Sequence, residues 1–277
     1  MASILETVAN DLIQQIKDDS LVLPSLPEVC LQVRDLAEDA NATIPQLSKI
    51  IQQDAALSAR IVKVANSPLV RTPVEVTDIG TAISRLGINF TSNLAMGLAM
   101  EQMFQATSDA VDKRMRKIWA ESSEIASICH VLASHFTKLH PDQAMLGGLI
   151  HKIGALPVLS YAEEHGALVN DGMALDKLIE KLHPAIGTHI VKAWKFPKAL
   201  QNIPGQYLKF ERQSDAVDYA DLVTVAVLQS VANTDHPYAK LDWSTIGAFD
   251  RVGIAPDVEM AEAIDLDEGE DITGLLS

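Results

Sequence analysis

Apolar residues recur at three- and four-residue spacing through most of the chain, and the polar residues between them fall where helices start and stop. Ser25-Leu26-Pro27-Glu28 has the S-x-x-E form of a capping box with proline in the first turn, which predicts a helix to about Ala40. Thr43-Ile44-Pro45-Gln46 repeats the device ahead of the stripe Leu47, Ile50 and Ile51. Asp54 then caps a helix that buries Leu57, Ile61 and Val64 and stops at Asn66-Ser67-Pro68, because the residue before proline is pushed out of the helical region. Asp78 caps the next, with Ile79, Ala82, Ile83 and Leu86 on one face and Gly87 as its stop. Asn89 is placed to cap a fifth helix through Leu94, Leu98 and Phe104, which fades into the polar seam Gln105–Asp109.

Beyond the seam a long helix passes through Trp119, Ile125, Ile128 and Leu132, and His140-Pro141-Asp142 opens another through Leu146, Leu149 and Ile150. Further helices are expected over Ile153–Glu164, Leu175–Leu182, Pro184–Ala193 and Asp221–Ala232. No alternation of Val, Ile and Thr lasts long enough to read as a strand. The expected fold is therefore all-α and two-lobed, an N-terminal five-helix lobe plus a helical bundle. Its parts are an N-terminal helix over 1–19, the first lobe over 20–107, the second over 108–235, a C-terminal extension over 236–256 and an acidic tail over 257–277.

Composition changes this picture in two ways. The chain is 48% hydrophobic but only 5% aromatic, so its core must be aliphatic, which suits closely packed helices. Its net charge of -15 argues against a general nucleic-acid or anionic-membrane surface, although eight carboxylates between Asp257 and Asp271 leave only -7 for the preceding 256 residues. Eight carboxylates without counter-charge repel one another, so the tail is expected to be disordered unless a partner receives it. Cys30 and Cys129 stand far from any metal or disulfide spacing and read as two buried thiols. Glu6 and Asp11 interrupt any basic leader, and no apolar run approaches the ~20 residues of a membrane span, so a cytoplasmic location without membrane insertion is expected.

Leu23-Pro24-Ser25-Leu26-Pro27, together with Asp54-Ala55-Ala56-Leu57-Ser58-Ala59-Arg60 leading to Val64-Ala65-Asn66-Ser67-Pro68, resembles the HDOD family, the HD-related output domains of bacterial signalling. Ala82–Gly87, Gly147–Gly154, His183–Gly187 and Trp194–Pro197 continue the likeness, in order, over roughly residues 20 to 235. The resemblance implies that the second lobe is an HD-like helical bundle. In catalytic members of the wider HD superfamily a first His, an adjacent His-Asp pair and a distal Asp hold metal that activates water. Here, aligned on Trp119, the first position falls on or near Glu121, the pair reads His151-Lys152, and the distal helix reads Val225-Ala226-Val227. A protonated lysine has no lone pair and repels a divalent cation. The resemblance thus implies a vestigial site of Glu121, His151 and Lys152, with no metal and no cofactor.

Those positions converge in the metal-binding relatives, so Glu121 is expected to face Lys152 beside His151 in the lobe's interior; the alternative has Lys152 reaching solvent and Glu121 facing water. His130 with His135 and His183 with His189 have spacings of five and six, unsuited to a helical metal clamp, and Gly147-Gly148 lacks the rest of a phosphate loop and reads as close helix packing.

Three functions stay open. The first is a non-catalytic signalling module that docks on other signalling proteins, of unknown identity and oligomeric state. The second is a metal-dependent phosphohydrolase acting on nucleotides or cyclic dinucleotides. The third is a DNA-binding regulator using the helix-turn-helix-like segment 43–67 with Arg60, Lys63 and Arg71, against which stand the acidic charge and the core-like spacing of Leu57, Ile61 and Val64.

Overall fold

A computed structural model of the chain describes residues 4–18, 20–37, 39, 41–67 and 75–257. Among these there is no strand. The stretch carrying Pro68, Arg71 and Pro73, expected as a loop, and the acidic tail after Asp257 lie outside the described residues.

Helices α2 (Glu28–Ala37), α3 (Ile44–Ile51), α4 (Ala55–Ala65), α5 (Ile79–Leu86) and α6 (Ile88–Met100) build the first lobe. The Gln46 side chain accepts from both the backbone N–H and the hydroxyl of Thr43, at 2.9 and 2.7 Å. Asp54 accepts from the Leu57 N–H and Asp78 from the Thr81 N–H, so both predicted caps form. Asn66 ends α4 and clasps the backbone of Val76 in both directions at 2.8 Å, which ties the end of α4 to the residues that lead into α5.

Three local expectations are corrected. The helix after Pro27 begins at Glu28 and ends at Ala37, and the Glu28 carboxylate accepts from Gln32 one turn on instead of reaching back to Ser25. Asn89 caps nothing: α6 starts at Ile88, directly after Gly87, whose φ of +85° lets one residue end α5 and begin α6. Leu175–Leu182 and Pro184–Ala193 form one helix, α11 (Gly172–Ala193). Leu178, Leu182, Ile186 and Ile190 make a single buried stripe along it, and that burial outweighs the roughly 3 kcal/mol that an internal proline costs a helix.

The second lobe comprises α7 (Asp109–Phe136), α8 (Pro141–Ile150), α9 (Ala155–Glu164), α10 (Gly166–Val169), α11, α12 (Ile203–Gln206) and α13 (Tyr219–Ser230). Glu163 of α9 accepts from the backbone N–H groups of Thr107 and Ser108, satisfying the start of α7 from across the seam. By length and composition Pro141–Glu164 does meet the requirement for a membrane-crossing helix, contrary to expectation. A turn at 151–154 divides it, however, and 83% of its apolar window is buried in the protein's own core.

One continuous apolar core runs through both lobes. Helices α6 and α8 pack across it so closely that a Cβ at Gly97 would lie 2.4 Å from the Leu149 side chain. Polar contacts join the lobes at a second place, where Arg34 donates to the Trp194 carbonyl at 2.7 Å and the Trp194 indole donates to the Pro24 carbonyl at 3.0 Å. The N-terminal helix α1 (Ile4–Lys17) packs on α11. The extension after α13 ends in α14 (Gly247–Val252), which packs back on α13.

Candidate functional site

The backbones of α7 and α8 nearly touch, since a Cβ at Gly148 would sit 2.4 Å from the Ala126 Cα. Close packing is therefore the role of that glycine, as its sequence context suggested. A second tight approach lies below it: a Cβ at Gly154 would meet the His183 carbonyl at 2.1 Å and the Gly187 nitrogen at 2.4 Å. These two contacts carry the end of α8 between α7 and the middle of α11.

His151 emerges from α8 fully buried, and its Nδ1 lies 2.5 Å from the Gly148 carbonyl oxygen. A carbonyl only accepts, so Nδ1 carries the proton and Nε2 keeps a lone pair, which is buried with no hydrogen-bond partner. His183 repeats the arrangement on α11, with Nδ1 donating to the Ile179 carbonyl at 2.8 Å. Its Nε2 accepts from the hydroxyl of Tyr207 at 2.6 Å. The Tyr207 ring also meets the His151 ring at right angles, centroids 5.0 Å apart, and Thr224 of α13 donates to the Tyr207 carbonyl at 2.7 Å. Tyr207 thus wedges between the two imidazoles.

Lys152 turns the other way. Its Nζ donates to Glu121 Oε2 on α7 at 2.8 Å, and Lys117 approaches the second carboxylate oxygen at 3.7 Å. The expected pairing of Glu121 with Lys152 beside His151 is present, but its setting differs from the expectation: the two side chains are 37% and 29% exposed and so sit at the rim rather than in the interior.

Electrostatics follow from this burial. Burial, and then the Lys152 charge, hold His151 well below the ordinary histidine range, against the opposing pull of the Gly148 carbonyl. Burial also lowers His183, to about 4, and pushes the Tyr207 phenol well up. At neutral pH the site therefore holds two neutral imidazoles, a neutral phenol and one ion pair.

A divalent metal does not fit these residues. Tyr207 already uses the lone pair of His183, an ammonium stands next to His151, and Val225–Val227 supply only buried apolar side chains. Among the described residues no three His, Cys, Asp or Glu gather to hold an ion. His130 and His135 do not assemble a site: His135 is exposed, while His130 packs edge-on against Phe90. Cys30 and Cys129 are buried and free, and burial alone raises the Cys30 thiol to about 12, so neither offers a thiolate.

Two groups were not singled out by the sequence. Tyr207 is one. The other is Asp221, fully buried at the start of α13, which Arg251 of α14 grips at 2.7 and 3.0 Å while Arg212 bridges it to Asp218. A carboxylate inside the apolar run Tyr219–Leu228 was a usable signal for Asp221, whereas nothing local marks Arg251 as its partner thirty residues away.

The helix-turn-helix outline exists as α3, the turn 52–54 and α4, but Leu57, Ile61 and Val64 are buried and Arg60 is ion-paired with Glu101.

A family model described as HDOD domain matches residues 23–206. A protein of Shewanella amazonensis SB2B provisionally named a metal-dependent phosphohydrolase is 29% identical, with a TM-score of 0.82 over 98% of this chain and 97% of that one. An HDOD domain protein of unknown function from Geobacter sulfurreducens shares the fold at 19% identity and a TM-score of 0.65, covering 98% and 97% of the two chains. A provisionally named signal transduction protein from Marinobacter aquaeolei VT8 shares it at 20% and 0.69, covering 98% of this chain and 66% of that one. An uncharacterized protein of Treponema pallidum (strain Nichols) is 23% identical over 266 residues, 88% of this chain and 49% of that protein, so the chain spans about half the length of that relative.

Proposed function

Because the chain belongs to the HDOD domain family, we propose that it is a regulatory module of signal transduction that docks on other signalling proteins and catalyses no reaction. One observation carries this reading: the position next to His151 holds Lys152, whose ammonium is 2.8 Å from Glu121, while the hydroxyl of Tyr207 occupies His183. Of the side chains that would have to converge on a metal, Glu121 is engaged by Lys152 and His183 by Tyr207, which leaves the single Nε2 of His151 and no convergent ligand set. With no activated water the site has no nucleophile, since the Tyr207 phenol stays protonated, and neither buried thiol of the chain offers a thiolate. The fold shared with a provisionally named signal transduction protein is consistent with a regulatory role. The two free buried thiols suit a reducing compartment, and we place the module in the cytoplasm.

A second reading, metal-dependent phosphohydrolase, has its own observation in its favour. The Nε2 lone pair of His151 is bare, and the 29%-identical relative carries that provisional name. One experiment separates the two. The purified chain is loaded with Mn, Fe or Zn, dialysed, assayed for bound metal, and offered a cyclic dinucleotide and a chromogenic phosphodiester. The regulatory reading expects substoichiometric metal and no turnover above blank. One retained metal per chain, with hydrolysis lost in His151→Ala, would establish the enzyme instead.

DNA binding is the weaker third reading, because the cation best placed on α4, Arg60, is committed to Glu101. Salt-sensitive retention on duplex DNA at low ionic strength would revive it.

A further inference from the structure

Away from the imidazole pair, the first lobe and the start of α8 enclose a groove of about 600 Å³, within the range of roughly 300–1,000 Å³ typical of ligand pockets. Its walls come from three places in the chain: Asp39 and Ala42 from the α2–α3 connection, Leu86, Ile88 and Phe90 from the α5–α6 junction, and Asp142 from the first turn of α8. Leu86, Ile88 and Phe90 are only half-buried, so an apolar wall faces the opening. The sharp passage at Gly87 leaves open space where a side chain would stand, which keeps the groove clear between α5 and α6.

Among the described residues that line this groove, the charged ones are both carboxylates, Asp39 and Asp142. Asp39 presents a carboxylate that accepts from the Asn41 N–H, and Asp142 presents a second that is half-buried and enters no ion pair among the described residues. A carboxylate in the first turn of a helix is ordinarily favoured by the helix dipole. At Asp142 burial outweighs the opposing influence of the neighbouring His130 and His140 and raises the carboxyl above its usual range. His130, itself partly buried behind Phe90, is held below the ordinary histidine range by that burial and offers no fixed positive charge in return. Two carboxylates beside an apolar wall, one of them desolvated without a counter-charge, complement an occupant that is cationic and apolar together.

We propose that this groove docks a basic amphipathic segment of a partner protein, a Lys or Arg set against Asp39 and Asp142 and an adjacent apolar side chain laid on Leu86, Ile88 and Phe90. The inference rests on the regulatory reading and names its surface and the chemistry of its partner.

The probes are three labelled dodecapeptides with one Leu/Ala pattern and either Arg, Gln or Glu at the polar positions. The Arg peptide is expected to bind saturably, at least tenfold more tightly than the Gln and Glu forms. Binding should weaken at least tenfold in the Asp39→Asn/Asp142→Asn double variant, and separately in Phe90→Ser. Independently of any variant, the Arg peptide should shift the backbone amide resonances of Gly87, Ile88 and Asn89 in the wild-type chain. Equal binding of the three peptides, no binding of the Arg peptide up to millimolar concentration, undiminished binding by the double variant, or shifts confined to another face would each overturn the proposal. Failure of the regulatory reading shows separately, as retained metal and His151-dependent hydrolysis, and is not mimicked by any of these outcomes.

Discussion

The hydroxyl of Tyr207 donates to Nε2 of His183 across 2.6 Å, deep in the second lobe. Tyr207→Phe keeps the ring against His151 and removes only the donor, leaving a buried imidazole nitrogen unsatisfied. The expected cost is about 1–3 kcal/mol, read as a lower midpoint in denaturant melts. An unchanged midpoint would mean that the hydroxyl is replaceable by water and does not lock the site.

The same imidazole sets an acid sensitivity. In the folded chain His183 titrates at about 4, against the ordinary 6.5, mainly because it is buried. Below pH 6.5 the unfolded chain takes up a proton that the folded chain refuses. The contribution of His183 is therefore full above pH 6.5 and is lost as pH falls through 4, roughly 3 kcal/mol in all. His151 is shifted in the same direction and adds to the slope. Denaturant melts between pH 7 and 4 should show stability falling through this window, and the fall should be shallower in His183→Gln. A wild-type curve flat over the window would contradict the neutral, buried assignment.

Lys152 and Glu121 offer a different kind of test. Had both been deeply buried, removing one partner would cost about 3–5 kcal/mol. At 29% and 37% exposure, with Lys117 also near, water screens the pair and a coupling of about 0.5–1 kcal/mol is expected. Thermal melts of Lys152→Met, Glu121→Gln and the double variant give that coupling directly. A value above about 2 kcal/mol would place the pair in a drier setting than the rim.

What could be read from the chain divides along the range of the interactions. The Thr43–Gln46 box and the Asp54 and Asp78 caps are contacts within three residues, so a local pattern states them completely. Asn89 misled because Gly87 can start a helix without a capping side chain, and Pro184 misled because one buried stripe holds α11 together across it. The likeness to HD domains placed Glu121 opposite Lys152, since homologous positions inherit a shared geometry. It was silent on Tyr207, which follows α12 outside the superfamily's ligand positions, yet fills the space between His151 and His183. The docking of α1 on α11, more than 150 residues apart, leaves no local trace beyond an amphipathic pattern.

Asp221 is the side chain whose loss should hurt most. Its carboxylate is 1% exposed, and Arg212 and Arg251, at 15% and 13%, both converge on it. Asp221→Asn would leave two largely desolvated guanidinium groups facing each other across a neutral amide. Among the described residues only Arg212 keeps a second carboxylate, that of Asp218 at 2.6 Å. Losing the charge of a buried network member in this way is expected to cost about 3–5 kcal/mol. Arg251→Leu removes one cation but leaves Asp221 paired with Arg212, so its global cost should be smaller. Its effect should concentrate on α14, which Arg251 ties to α13. Hydrogen exchange distinguishes the two: Arg251→Leu should speed exchange at the Gly253 amide, which bonds the Phe249 carbonyl, while leaving α7 and α8 protected. Asp221→Asn should lower protection throughout the second lobe. Equal melting points for the two variants, or α14 amides as slow in Arg251→Leu as in the wild type, would show that apolar packing of Phe249 and Val252, and not the carboxylate, holds the extension in place.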